Sequence, residues 1–116
     1  MSIGNLDQMP RAALAASPTP LERLDRLSAE IAGATLWAKR DDTQGLAFGG
    51  NKVRQLEYYF GQARAEGADT VLITGAVQSN FCRLAAAFAA KIGMACHIQQ
   101  EHGLYGGRTV IFPFDR

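Results

Sequence analysis

The run from Thr70 to Gln99 limits the fold of this chain more than any other stretch. Thr70-Val71-Leu72-Ile73-Thr74 is a short, unbroken β-rich sequence of the kind found in strands buried on both faces. Residues 75–80 turn the chain, and Phe81, Leu84, Ala85, Phe88 and Ile92 then recur at helical spacing until Gly93 supplies a stop. Ala95-Cys96-His97-Ile98-Gln99 opens a second strand. Strand, helix and strand joined by short turns is the βαβ grammar, so the expectation is an α/β fold with parallel strands and a right-handed crossover.

A second feature precedes it. Gly45-Leu46-Ala47-Phe48-Gly49-Gly50-Asn51-Lys52-Val53-Arg54 runs directly into an amphipathic helix. Val53, Leu56, Phe60 and Ala63 share one face, Arg54, Gln62 and Arg64 are expected in water, and Gly67 closes the helix. Lys52 falls in the first turn, an odd place for a cation, because a helix start carries about half a positive charge. The same field favours the neutral amine, the form that attacks carbonyl carbons to make Schiff bases. The plain alternative is a lysine that swings into solvent.

Upstream, residues 1–17 have weak periodicity and read as an irregular arm with room for one short helix. Pro18-Thr19-Pro20-Leu21-Glu22 has the form of a helix start, with Thr19 as cap, Pro20 at the first position and Glu22 completing a capping box. Leu24, Leu27 and Ile31 follow at helical spacing, with Gly33 as the stop. Thr35-Leu36-Trp37-Ala38-Lys39 reads as a strand running into Arg40-Asp41-Asp42. Paired acids can do acid–base work or hold a metal, but a turn carrying solvated charges is the simpler expectation.

A net charge of +1 with no basic run argues against nucleic acid as a partner. No segment has the length and apolarity of a membrane span, and no secretory leader is evident, so the cytoplasm is the expected compartment. Cys82 and Cys96 do not make a disulfide framework. With His97 and His102 they match no zinc spacing, and Cys96 and His97 point to opposite faces of a strand, so buried thiols and no metal are expected.

Nucleotide motifs fail on inspection. Asn51 separates Gly50 from Lys52, and Val53 stands where a phosphate loop needs Ser or Thr. The turn after Ile73 has Gly75 but no further glycine in dinucleotide spacing. Gln78-Ser79-Asn80 nevertheless lies at a strand's C-terminal end and a helix start, where ligands bind in open α/β sheets. Free amides there suit a carboxylate or phosphate, and the side chains add hydroxyl and carboxamide groups. The alternative is that Ser79 or Asn80 only caps the helix. Ser79 lacks the flanking glycines of a hydrolase nucleophile elbow.

Taken together, Gly-Leu-Ala-Phe-Gly-Gly-Asn-Lys at 45–52, Arg-x-Leu-Glu-Tyr at 54–58 and Val-Gln-Ser-Asn at 77–80 resemble one family. It is the D-cysteine desulfhydrase and aminocyclopropane-carboxylate deaminase group of pyridoxal-phosphate enzymes, of the tryptophan-synthase-β fold type. Lys39-Arg40-Asp41-Asp42 resembles the family's Lys-Arg-Glu-Asp run, with Asp41 in place of Glu. The resemblance extends from about Pro18 to Glu101. It implies a three-layer αβα fold with parallel strands, incomplete in this chain, a pyridoxal 5'-phosphate cofactor and a small amino-acid substrate. It also implies a homodimer for the full-length family. Residues 1–50 correspond to an arm and the first elements of the large domain, 51–102 to the βαβ part of the small domain, and 103–116 to a divergent tail.

By the same resemblance, Lys52 matches the lysine that holds the cofactor as a Schiff base and then moves protons at the substrate carbons. Asn51 matches a position beside the cofactor, and Asn80 the asparagine near its ring hydroxyl. Gln78, Ser79 and Asn80, with the helix-start amides, match the cradle for the substrate carboxylate, and Ser79 also matches a proton-transfer residue of the deaminase branch. The implied reaction is a lyase or deaminase step, first D-cysteine to pyruvate, sulfide and ammonia, with aminocyclopropane-carboxylate deamination as the alternative. Phe81-Cys82-Arg83 departs from the family's His or Gln followed by Thr-Arg; Phe81 either reshapes the pocket or packs inward with Leu84.

Family members are much longer, and their later segments supply the phosphate-gripping glycine loop, the partner of the pyridine nitrogen and a tyrosine near the ring. Gly103-Leu104-Tyr105-Gly106-Gly107-Arg108 stands at the wrong position for that loop, and residues 109–114 read as an apolar, strand-like tail outside the pattern. The expectation is therefore a truncated or frameshifted N-terminal piece with weak activity or none. Its sheet edges would be unpaired, and Phe81 and Phe88 under-covered, favouring association. A non-catalytic remnant and an unrelated α/β binding module are the readings of other classes.

Overall fold

The computed structural model describes residues 6–16, 18–31, 33–101 and 110–113. Its centre is the predicted parallel pair. Strand β3 (Thr70–Ala76) runs beside β4 (Ala95–Glu101), in register from Thr70 opposite Ala95 to Ala76 opposite Glu101. A fifth strand, β5 (Val110–Pro113), pairs antiparallel with β4, so the sheet order is β3-β4-β5 and the apolar tail is a strand. The loop at 102–109, with the glycines at 103–107, lies outside the described residues.

Helix α3 (Asn80–Ile92) connects the parallel strands and packs on one face of the sheet, with α2 (Val53–Ala65) against it. The apolar stripes anticipated for both helices form the core. Val53, Leu56 and Phe60 of α2 meet Leu84, Ala85 and Phe88 of α3, all buried. The rings of Phe60 and Phe88 stack at 5.7 Å between centroids. Phe88 is therefore fully covered, contrary to expectation, because α2 supplies the missing wall. Phe81 is half-buried against the same cluster, as in the inward-packing alternative. Gly93 ends α3 with φ +75°, a conformation that suits glycine.

One expectation about β3 is corrected. Its residues alternate between exposed and half-buried, and Leu72 is 73% exposed. Val71 and Ile73 face α3, while among the described residues no helix covers the opposite side. The fold is thus part of an αβα arrangement, with sheet and one helical layer in place.

The helix start at Pro18 is a second correction. Leu21–Arg23 is strand β1, paired antiparallel with β2 (Trp37–Lys39), and the helix between them, α1, covers only Asp25–Glu30. Thr19 and Glu22 cap no helix; their side chains have other partners. Thr19 donates to Asp41 Oδ1 at 2.7 Å, and the Glu22 carboxylate pairs with Arg40. Tertiary partners have overridden a local cap preference worth only about 1 kcal/mol.

The described part of the arm, residues 6–16, is irregular apart from a single turn at Leu6–Gln8, and one buried carboxylate pins it down. Glu57 on α2 is fully buried and accepts from the Leu14 and Ala15 amides, both at 2.8 Å, and from Arg11 Nε at 2.8 Å. The arm runs so close to α2 that a Cβ on Gly61 would lie 2.4 Å from the Pro10 carbonyl oxygen. Cys82 and Cys96 are free and buried. Burial pushes the Cys96 thiol up, and neighbouring Cys82 adds to the effect.

Candidate active site

The lysine loop is an unusual piece of backbone. A single turn at Leu46–Phe48 is flanked by Gly45 at φ +81° and Gly49 at φ +61°. Ala47 and Phe48 themselves have positive φ, at 45° and 66°, a costly conformation for residues with a side chain. Gly49 is required on steric grounds, since a Cβ there would lie 2.6 Å from the Asp42 carbonyl oxygen. Gly50 donates its N–H to the Asp41 carbonyl at 3.0 Å, and its own carbonyl accepts from Val53 N–H at 3.3 Å. The loop thus delivers Lys52 to the N-cap position of α2, one residue before the first helical turn where the sequence suggested it. Lys52 is half-buried, and among the described residues its amine meets no carboxylate.

The second loop follows β3. Ser79 is the N-cap of α3, its Oγ accepting the Cys82 N–H at 3.3 Å. The capping alternative is therefore realised. It satisfies one amide of the first turn and leaves those of Asn80 and Phe81 without helical acceptors, available to an anion. Gly75 permits this turn, because a Cβ there would lie 2.7 Å from Cys82 Sγ and 3.0 Å from Ser79 Oγ.

The two loops meet. Asn80 Nδ2 donates to Asn51 Oδ1 at 3.2 Å, across 29 residues of sequence. Arg83 Nη2 donates to the Gly49 carbonyl at 3.4 Å. A Cβ on Gly50 would lie 3.9 Å from both Asn80 Nδ2 and Leu84 Cδ1, so the glycine backbone sits directly against the α3 start. This contact brings Asn51 and Asn80 together, with Lys52 the next residue along the chain from Asn51. Ser79 turns to its own helix, and Gln78 is exposed. A cleft of about 180 Å³ opens beside Ser79 and Arg83, walled by Val77, Ile98 and Gln100; Lys52 does not line it.

Behind the lysine loop lies a polar cluster that the sequence did not reveal. Arg54, expected in water, reaches Asp41 with Nε at 3.2 Å and Nη2 at 3.1 Å, and Thr19 Oγ1 with Nη2 at 3.1 Å. Lys39 Nζ donates to the Thr19 carbonyl at 2.8 Å and stands 3.9 Å from Asp41. Hydrogen bonds from Arg54 and Thr19 hold the Asp41 carboxyl at about 2, so it is ionised at neutral pH. Only Asp42, paired with Arg40 at the surface, fits the predicted turn of solvated charges. The signal that could have found Asp41 was its place in the Lys-Arg-Asp-Asp run together with Arg54 two residues beyond Lys52.

Residues 12–106 match the family described as pyridoxal-phosphate dependent enzyme. A 1-aminocyclopropane-1-carboxylate deaminase of Methylobacterium nodulans is 55% identical over 98 residues, covering 83% of this chain and 29% of the relative. A protein of the same name from Burkholderia vietnamiensis is 53% identical over 100 residues, covering 84% of this chain and 30% of the relative. A crystal structure of an ACC deaminase homologue superposes with a TM-score of 0.76 at 42% identity, over 82% of this chain and 29% of that one. The chain thus spans about 29% of the length of the curated relatives it matches.

The site's chemistry fits part of such a cofactor. A half-buried amine with no carboxylate partner among the described residues suits a carbonyl carbon, two carboxamides suit a ring hydroxyl, and open helix-start amides suit an anion. By its sequence match over residues 12–106, carried on a fold shared with a solved relative, the chain belongs to the pyridoxal-phosphate dependent enzyme family.

Proposed function

We propose that this chain carries the lysine-bearing part of a lyase or deaminase acting on a small amino acid, with 1-aminocyclopropane-1-carboxylate as the favoured substrate. The observation that carries the reading is the Asn80–Asn51 hydrogen bond, which joins the residue beside Lys52 to the amide-rich start of α3. The relatives named above favour aminocyclopropane-carboxylate over D-cysteine, whose desulfhydration remains the competing reaction to be tested. Pyridoxal phosphate, when bound, supplies an electron sink for the carbanion formed at the substrate.

The chain's own residues have distinct tasks in this reading. Lys52 would hold the cofactor through its amine and would carry a proton at the substrate carbons. Asn51 and Asn80 would help to hold the cofactor ring. The Asn80 and Phe81 amides, with Gln78 and Ser79, bind the substrate carboxylate. Ser79 can serve there without leaving its cap, because a hydroxyl that accepts one hydrogen bond can still donate another. Residues 51–102 are the small-domain part and 1–50 the arm and first elements of the large domain. Cytoplasmic location and homodimer formation are proposed for the complete enzyme.

The test is turnover by the chain with pyridoxal phosphate, comparing Lys52→Ala. Ammonia and a 2-oxo acid from aminocyclopropane-carboxylate, exceeding sulfide from D-cysteine and lost in Lys52→Ala, is the expected result. Sulfide release without aminocyclopropane-carboxylate turnover would reverse the substrate assignment. No Lys52-dependent turnover of either would remove catalysis from this chain and leave the reading of a non-catalytic remnant.

A further inference from the structure

We propose that Asp41 is the positioning residue of the lysine loop, fixing Lys52 from both sides through its main chain and its side chain. The proposal rests on the cofactor role of Lys52 and deepens it. On the N-terminal side, the Asp41 carbonyl accepts the Gly50 N–H at 3.0 Å, two residues before Lys52. On the C-terminal side, the Asp41 carboxylate takes Arg54 Nε at 3.2 Å and Nη2 at 3.1 Å, two residues after Lys52. One residue therefore ties down both flanks of Asn51-Lys52.

Asp41 is itself anchored. Thr19, which is buried, donates to its Oδ1 at 2.7 Å, and Lys39 stands 3.9 Å away while bonding the Thr19 carbonyl at 2.8 Å. Lys39 is the last residue of β2, paired with Leu21, and Thr19 lies two residues before β1, so the loop is braced against a strand pair rather than against another loop. Bracing is needed here because the loop is strained. Ala47 and Phe48 have positive φ, at 45° and 66°, a disfavoured conformation for residues with a side chain. A strained loop without ties would relax, and Lys52 would move with it as the Asn51–Asn80 hydrogen bond is lost.

The experiment compares the wild-type chain with Asp41→Asn and Asp41→Glu, the latter restoring the acid that the resembling family has at this position. Pyridoxal 5'-phosphate is added and trapped with borohydride, and the adduct is quantified at Lys52 and at exposed Lys91 as internal control. In parallel, amide exchange at residues 49–51 is followed without cofactor. Asp41→Asn is expected to lower Lys52 trapping by about tenfold to a hundredfold, the scale of a one-ångström misplacement. Lys91 modification and core protection in α2 and α3 should be unchanged, exchange at Gly50 faster, and Asp41→Glu should recover most of the trapping. Equal trapping and equal Gly50 exchange in Asp41→Asn would overturn the assignment.

If Asp41→Asn loses core protection, Arg54→Lys decides, since it keeps the charge but loses the two-pronged grip. Lower Lys52 trapping at constant Lys91 then supports the proposal, and wild-type trapping overturns it. A wild-type chain that forms no Lys52 adduct would remove the cofactor reading instead. The cofactor-free exchange at Gly50 would still decide the role of Asp41.

Discussion

Glu57 shows what a single residue contributes to holding this molecule together. It belongs to the Arg-x-Leu-Glu-Tyr stretch, yet its carboxylate points away from the site and fastens the arm to α2. Burial pushes its carboxyl up, but the Ala15 amide, Arg11 and the Leu14 amide together pull it further down, leaving it below its ordinary value. A depressed folded-state value means stability that is present above the unfolded-state value and lost as pH falls through the folded one. The Leu14 and Ala15 amides are therefore expected to lose exchange protection on acidification through and below the ordinary carboxylate range, ahead of the α2–α3 core. Glu57→Ala should cost about 2–4 kcal/mol in urea unfolding, mainly from two amides left without an acceptor. Arg11 is partly solvated and its pairing adds less. A loss under 1 kcal/mol would mean that the arm is not docked as described.

At the scale of elements, Ser79 shows how capping and chemistry share one residue. Its Oγ closes the first turn of α3, so Ser79→Ala should lower stability by about 1 kcal/mol whatever it does to a ligand. Ser79→Asp should keep the cap and the stability while placing a negative charge against the proposed carboxylate cradle. Denaturant midpoints of the two variants separate the roles; equal midpoints for Ala and Asp would contradict the cap.

The elements also show what the sequence could and could not reveal. The stripes of α2 and α3 and the parallel strands were legible because a buried face leaves a periodic record in residue type. Val53, Leu56, Phe60, Leu84 and Phe88 fell where that record put them. The β1 segment was misread because Thr19 and Glu22 have the composition of a capping box while their partners, Asp41 and Arg40, lie about 20 residues away. Arg54 was assigned to water for the same reason: a charge on the wet edge of a helix looks the same in sequence whether or not an acid meets it. The family's motif marked both loops, but the Asn51–Asn80 contact between them depends on helix packing that no local pattern encodes.

At the scale of the whole molecule, the described residues leave the sheet with a bare face and an open edge. Leu72 is 73% exposed, and β3 has no neighbour on its outer side among the described residues. Such surfaces favour association. Sedimentation should show mass rising with concentration, and Leu72→Lys should reduce it while changing unfolding stability by no more than about 0.5 kcal/mol. Association unchanged by Leu72→Lys would direct attention to Phe48, which is 90% exposed on the strained lysine loop. Among the described residues no helix is long and apolar enough to cross a membrane, so these apolar groups are not part of a helical span.

In the proposed chemistry Lys52 is the amine that the folded chain presents to the cofactor. The most direct measurement is a titration of the chain with pyridoxal phosphate, borohydride reduction, and mass mapping of Lys39, Lys52 and Lys91, with Lys52→Ala alongside. A saturable adduct at Lys52, far above the background at Lys39 and Lys91 and absent from Lys52→Ala, is the predicted result. Labelling spread evenly over all three lysines, or unchanged total labelling in Lys52→Ala, would contradict it.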